Sequence, residues 1–334
     1  MKICFLENTK FEYSYKDKDS HLLRGAENIL INLSYELSKL GHDVFIFNNC
    51  NLDTHNDKSN WYNINLPNPL KNELFDVAIA NGDTRLLYKI KSQKKIVFSY
   101  SLQSIEKFIR KGQLIPYLRH RPTYFLIGDY HSKKRSKFIS LFGTKILKLS
   151  VDKIFHEVKI DKSLNQNLIN NNLAIFTSRH DRNLDLLLNM WNKLIYPDFK
   201  QGKLLVTPSD NINEHNNIYF RKMGKRSDLI ADLLKAKIFL IPGHKAELFC
   251  LAAQEARELC IPTVTLGIGS LYERVEHGIT GFIANNEIEF ASYSIELFKN
   301  DNLWNKLRNN LIKIRGKSTW SNCANDFINQ VRSI

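Results

Sequence analysis

Two hydrophobic patterns alternate along the chain. Short apolar runs of four to six residues recur at Lys2–Leu6, Asp43–Phe47, Phe75–Ala80, Lys95–Phe98, Tyr124–Ile127, Lys145–Leu149, Ala174–Thr177, Lys203–Thr207, Asn217–Arg221, Ile238–Ile241 and Pro262–Leu266. Runs of this length, several closed by glycine or proline, read as strands. Between them lie segments with apolar residues at helical spacing. Ile29, Leu30, Leu33, Leu37 and Leu40 mark a helix over Asn28–Lys39, and similar patterns cover Ser104–Arg119, Leu184–Leu194, Ser227–Lys235, Leu248–Leu259, Glu287–Lys299, Leu303–Ile314 and Asn322–Val331. The alternation predicts an α/β protein with doubly wound parallel sheets. Val151–Asn172 interrupts it. That segment is rich in Lys, Asp and Asn and reads as a linker between two domains.

A length of 334 residues suits two domains, each able to bury a core. Cys4, Cys50, Cys250, Cys260 and Cys323 show no paired spacing, which argues for reduced thiols in the cytoplasm and against a disulfide framework or a zinc site. The first residues read as a strand rather than a signal peptide, and no apolar run is long enough for a membrane span. The net charge of +14 is concentrated. Sixteen Lys and Arg lie between Arg85 and Lys148 against two acids, Glu106 and Asp129. Such a region attracts anionic partners. Its helix Ser104–Arg119 mixes Ile105, Phe108, Ile109, Leu114 and Leu118 with Lys107, Arg110, Lys111 and Arg119. Two readings stay open: peripheral contact with an anionic membrane, or a helix packed inward behind a solvated basic face. No nucleic-acid motif accompanies the charge, so nucleic acid is not an expected partner.

The densest pattern runs from Lys237 to Ile283. An apolar run closes at Pro242-Gly243, a polar turn leads to a good helix former, and a second apolar run ends in glycines. Glu247 and Glu255 bracket seven residues. If the helix starts near Ala246, the two acids stand about 12 Å apart along its axis. A helix N-terminus presents free N–H groups that attract phosphate, while carboxylates suit the donor hydroxyls of a sugar.

This stretch resembles the retaining glycosyltransferases of the GT-B fold, family 4. The resemblance rests on Glu247 and Glu255 at Glu-x7-Glu spacing, then Cys260-Ile261-Pro262-Thr263-Val264, Gly269-Ser270-Leu271-Tyr272-Glu273 and His277-Gly278-Ile279-Thr280-Gly281. Arg24-Gly25-Ala26-Glu27 and Gly41-His42 flank the first helix in the same manner. Ser178, Arg182 and Asp185 match a family loop, with Asn183 in place of a glycine. The resemblance implies two Rossmann-like domains facing a cleft, over 1–155 and 156–317, with a helix in 318–334 crossing back to the first. It implies transfer of a sugar from a nucleoside-diphosphate sugar to a hydroxyl of a glycan or glycolipid, anionic ones included. The anomeric configuration is retained, neither metal nor cofactor is needed, and cell-surface polysaccharide or lipopolysaccharide synthesis is the expected setting. Such an enzyme would be cytoplasmic, with room for a peripheral place at the inner face of the plasma membrane.

The implied roles are specific. Arg182, with Arg179 beside it, grips the diphosphate. Glu247 holds donor-sugar hydroxyls and Glu255 the ribose, and Glu273 has a structural or donor-orienting role. Leu248, Phe249, Cys250 and Leu251 form the helix start near the phosphate, with Glu247 and Arg182 as the catalytic pair. Arg24, Gly25 and Gln103 belong to the acceptor or phosphate side. No Asp-x-Asp run stands where a metal-dependent transferase would keep one. Leu248 and Cys250 replace family glycines and are expected to reshape the sugar pocket. The family histidine of the first domain has no evident equivalent, His120 and His131 reading as surface residues. Two alternatives remain at this stage: a nucleotide-sugar epimerase of the same fold, and a catalytically degenerate partner subunit.

Overall fold

The computed structural model describes residues 1–18, 23, 25–51, 54–55, 59–160, 169–210 and 214–334. The chain forms two compact units, Met1–Ser150 with Ser318–Ile334, and Val151–Lys317.

The first unit opens with β1 (Lys2–Leu6), α1 (Gly25–Lys39) and β2 (Asp43–Asn48). A two-residue β3 (Thr54–His55) and β4 (Asn60–Asn63) follow, then β5 (Leu74–Asn81) and β6 (Lys91–Phe98). Next come α2 (Ile105–Arg110), α3 (Leu114–His120), β7 (Thr123–Leu126), α4 (Asp129–Lys134) and β8 (Thr144–Ile146). The sheet order is β3-β4-β2-β1-β5-β6-β7-β8, parallel except for β3. β1, β2, β5 and β7 are buried over most of their length, which is why they read as continuous apolar runs.

One expected helix is two. Ser104–Arg119 breaks at Gly112, which takes φ +63. The N–H of Gln113 returns to the Phe108 carbonyl at 2.8 Å and that of Gly112 to Ile109 at 2.9 Å, the bonds of a glycine-terminated helix end. Pro116 then fits in the first turn of α3, where an N–H is not needed. Gln113 itself is buried.

The second unit contains α5 (Lys153–Glu157), β9 (Asn170–Phe176), α6 (Leu184–Met190), β10 (Lys203–Val206), β11 (Ile218–Phe220) and α7 (Arg226–Lys235). It continues with β12 (Ala236–Leu240), α8 (Leu251–Glu258), β13 (Thr263–Thr265), β14 (Gly281–Ile283), α9 (Glu287–Lys299) and α10 (Asp301–Ile314). All six strands are parallel, in the order β11-β10-β9-β12-β13-β14. Ala252, Ala253 and Ala256 press α8 against the core that Phe239, Val264 and Trp191 share. Lys237 is buried but satisfied: its ammonium donates to the Phe298 carbonyl at 2.9 Å and to Asp301 at 2.5 Å, which fastens β12 to α9 and α10.

The last helix, α11 (Trp320–Arg332), belongs to the first unit. Phe327 packs on Phe98 and Phe125, and Lys94 donates to the Val331 carbonyl at 2.8 Å. Ser150 donates to the Ser318 carbonyl at 2.6 Å, so the two chain crossings between units run side by side.

Candidate functional site

In the second sheet, β9 lies between β10 and β12, so the chain leaves β9 toward one side and later resumes on the other. At such a switch point the loops beyond the carboxyl ends diverge and leave a crevice. The loop after β9 carries Arg179 and Arg182; the loop after β12 carries Glu247. Asn183 ties the two. It takes φ 63 in the left-handed region, and its side-chain amide donates to the Gly243 carbonyl at 2.6 Å. Asparagine tolerates that conformation better than most residues. The glycine-to-asparagine departure therefore keeps the turn and adds a tether.

The structure brings Arg182 and Glu247 together, with 3.3 Å between Nε and the carboxylate. Arg182 also meets Asp181 at 3.2 Å, and Arg179 meets the same Asp181 at 2.5 Å while remaining exposed. Burial pushes the Glu247 carboxyl above its usual range, opposed by the Arg182 guanidinium and the Cys250 amide. The acid sits on a rigid turn. Its own N–H bonds the His244 carbonyl at 2.9 Å, and the Ser270 N–H bonds its carbonyl at 3.0 Å. Gly269, at φ +80, approaches so closely that a Cβ there would stand 2.3 Å from the His244 oxygen. Arg274, not singled out in the sequence, braces the same turn. It donates to the Phe249 carbonyl at 2.8 Å and to Gln254 at 3.2 Å, lies 4.1 Å over the Phe249 ring, and reaches Glu273 at 3.4 Å.

Glu247 is therefore presented by a turn, not by a helix. The expected helix Leu248–Leu259 starts at Leu251, because Cys250 adopts φ 60 and redirects the chain. The N–H groups of the first helical turn belong to Leu251, Ala252 and Ala253 rather than to Leu248–Cys250, and that of Ala253 meets the Cys250 thiol. Leu248, Phe249 and Cys250 are all buried, and Cys250 is part of the hydrophobic core. The residue keeps a glycine-like backbone and turns its side chain inward, and burial raises the thiol pKa well above the ordinary value.

Glu255 lies on α8 with a different partner. Arg226, at the start of α7, stands 3.8 Å from Glu255 and 3.4 Å from Asp152, with its guanidinium 5.7 Å from the Phe155 ring. Burial lifts Glu255 to about 7 against the pull of Arg226, and Asp152 adds to the rise. Nothing near Arg226 in the sequence marks it, since its partners are distant along the chain. Glu258, one turn on, is structural: it meets His156 at 3.2 Å and accepts the Gly316 N–H at 2.8 Å.

The first unit holds the remaining candidates. Arg24 lies outside the described residues, and Gly25 is the first residue of α1. Gln103 is buried and donates to Ser101 at 3.1 Å. His131 is not a surface residue. It is buried, accepts the Ile127 N–H at 3.4 Å and reaches the Ser101 backbone, and burial lowers it to about 4, so it is neutral. His120 is half-buried against Tyr88 at 4.5 Å. An acid the sequence did not flag, Glu7, sits where β1 ends, beside the crossover to β5. Tyr13 and Asn81 both donate to its carboxylate. Burial raises it to about 7. Among the described residues no group of three or more His, Cys, Asp or Glu is placed to hold a metal, and no helix is long and apolar enough to cross a membrane.

Two doubly wound units in this chain order form the GT-B fold, which the solved structures below share over the whole chain. Residues 201–315 match the family described as Glycosyl transferases group 1. An uncharacterized glycosyltransferase of Methanocaldococcus jannaschii is 24% identical over 195 residues, 57% of this chain and 55% of that relative, so the match spans about half its length. Sucrose-phosphate synthase of Thermosynechococcus elongatus aligns over 100% of this chain and 99% of its own, with TM-score 0.73 and 12% identity. HepE of Anabaena, solved in complex with UDP, aligns over 100% of both chains with TM-score 0.70 and 16% identity.

Proposed function

We propose that this chain is a retaining glycosyltransferase. It moves a sugar from a nucleoside-diphosphate sugar to a hydroxyl of a glycan or glycolipid, and the charge of the diphosphate is met by arginine and backbone N–H groups rather than by a metal. The observation that carries this reading is the Arg182–Glu247 pair at the switch point between β9 and β12. Sugar and diphosphate need opposite things from a site. The leaving diphosphate gathers negative charge, which Arg182, Arg179 and the first N–H groups of α8 meet. The sugar offers hydroxyl donors, which a carboxylate accepts. When the donor binds, Arg182 exchanges the exposed Asp181 carboxylate for phosphate oxygens, and Glu247 turns to the sugar. Glu255 accepts from the ribose hydroxyls, and Arg226 is the cation that favours its charged form.

HepE was solved with UDP and with UDP-glucose, so a uridine nucleotide is the first donor to try. The acceptor in this reading is a cell-surface glycan or glycolipid, lipopolysaccharide among them, reached from the cytoplasmic side; this part rests on the sequence resemblance. The test is release of nucleoside diphosphate from a panel of nucleotide sugars with acceptor extract, with and without EDTA. Release that survives EDTA and is lost in Glu247→Ala is expected, with product of unchanged anomeric configuration by NMR. Release by Glu247→Ala at the native rate would remove Glu247 from the site.

A further inference from the structure

The surface formed by α2 and α3 bears on both sequence readings of the basic region. The apolar residues of this segment divide. Phe108 and Tyr117 are buried and pack edge-to-face on each other at 5.6 Å, with Tyr124 and Phe138 around them. Ile105, Ile109, Ile115 and Leu118 point the other way, with 50%, 61%, 74% and 48% of their surfaces exposed. Ile105 and Ile109 are one helical turn apart on α2, and Ile115 and Leu118 are neighbours on α3, so each helix has an outer aliphatic ridge. The exposed side chains beside them are Arg110, Lys111, Arg119 and Arg121, against the single acid Glu106. Lys107 is not part of this set; it folds back to Ser101 at 3.0 Å and Leu102 at 3.2 Å.

We infer that α2 and α3 dock this protein on an anionic phospholipid surface, with the four aliphatic side chains entering the acyl boundary and the arginines and Lys111 meeting phosphate headgroups. Isolated exposed apolar residues need no explanation, but a contiguous group rimmed by cations marks an interaction site. The chemistry selects the partner. A soluble glycan offers hydroxyls, which isoleucine cannot use. Single-stranded nucleic acid is held by exposed aromatic rings. The large apolar side chains exposed on α2 and α3 are all aliphatic, and the exposed ring beside them, Tyr88, has the Arg119 guanidinium 5.6 Å from its centre and the His120 ring at 4.5 Å, so it is not free to stack on a base. A lipid surface takes both parts at once, burying aliphatic area and neutralising cations. The inference extends the transfer reading, because a glycolipid acceptor is met at such a surface, but its observations are independent of Arg182 and Glu247.

The test is co-sedimentation of the full chain with vesicles of phosphatidylglycerol and phosphatidylcholine, and with phosphatidylcholine alone. Binding to the anionic vesicles that weakens with salt is expected. Arg110→Gln, Lys111→Gln and Arg119→Gln together should weaken it about a hundredfold. Ile109→Ser with Ile115→Ser should weaken it about tenfold at constant charge. All variants should keep the native melting temperature and the native affinity for uridine diphosphate, so loss of that affinity would count against the transfer reading and not against this one. Absence of wild-type binding at low salt, vesicle binding untouched by the isoleucine changes, or tighter binding to a single-stranded oligonucleotide than to vesicles would each overturn the proposal.

Discussion

Both sheets place a glutamate beyond a carboxyl edge beside a crossover, half-buried Glu247 in one and buried Glu7 in the other, and the two sites treat it differently. In the second unit, Glu247 follows β12 and faces Arg182 from the loop after β9. In the first, Glu7 follows β1 and is held by Tyr13 and by Asn81 at the end of β5. One acid has a cation; the other, among the described residues, has neutral donors. An arginine–carboxylate pair in a half-buried site is a poised arrangement, because a dianionic diphosphate competes for the guanidinium while the freed carboxylate accepts hydroxyls. A carboxyl that, among the described residues, has only neutral donors gains little from ionising, so burial decides and it keeps its proton to about 7. Topology thus supplies two equivalent positions, and the partner residue determines which becomes an anion-handling site.

The comparison breaks first if Arg182 is dispensable. Arg182→Ala should lower kcat/KM by about a thousandfold, the upper part of the range for losing one preorganised electrostatic group. Arg182→Lys should recover only part, since lysine cannot make the paired contacts of a guanidinium.

The next effect is on the frame. Gly269→Ala adds a Cβ 2.3 Å from the His244 oxygen and 2.9 Å from the Glu247 oxygen at φ +80. Backbone strain and overpacking together should cost about 4 kcal/mol in thermal unfolding. The same change should displace Glu247 and lower activity more than stability alone explains.

The glutamate of the first unit is tested by pH. Its folded value near 7 exceeds the ordinary 4.5, so the native state binds more protons than the unfolded chain between these values. The Glu7 contribution to stability is present at low pH and is lost as pH rises through about 7. Relative to Glu7→Gln, the wild type should lose up to about 3 kcal/mol between acidic and mildly alkaline buffer, at about 1.4 kcal/mol per pKa unit. A pH-independent difference would mean that Glu7 has a cation partner after all and that the two sites are alike.

The smallest effect is expected at Cys250→Gly. Relief of the left-handed conformation at φ 60 and loss of a buried thiol oppose each other, leaving a stability change within about 1 kcal/mol.

Much of this was legible in the sequence for physical reasons. Buried parallel strands are largely apolar, so each expected run falls on a strand, with its ends displaced by at most a few residues. The loosest are Lys95–Phe98 and Ala174–Thr177, because β6 and β9 begin four residues earlier in the polar stretches from Lys91 and Asn170. β4 was missed because Asn60-Trp61-Tyr62-Asn63 has polar ends and only two apolar residues between them. The break at Gly112 escaped notice because apolar spacing continues through it. Motif spacing pointed to Glu247, Glu255 and Arg182. Their partners were not legible: Arg226, Arg274 and Asp152 meet the site only through the fold, and Glu7 looks like an ordinary strand-end acid. Cys250 shows the same limit, since a left-handed φ on a non-glycine residue has no sequence mark.

The central claim is that Arg182 and Glu247 receive a nucleoside diphosphate at the β9/β12 crossover. Calorimetric titration of uridine, guanosine and adenosine diphosphates into the wild-type chain and Arg182→Ala tests it most directly. The account predicts that one of the three binds the wild type and binds Arg182→Ala about a hundredfold more weakly, the loss expected when a charge-assisted bidentate contact is removed, with the melting temperature unchanged. Equal affinity for the two chains, or no binding of any of the three to the wild type, would contradict it.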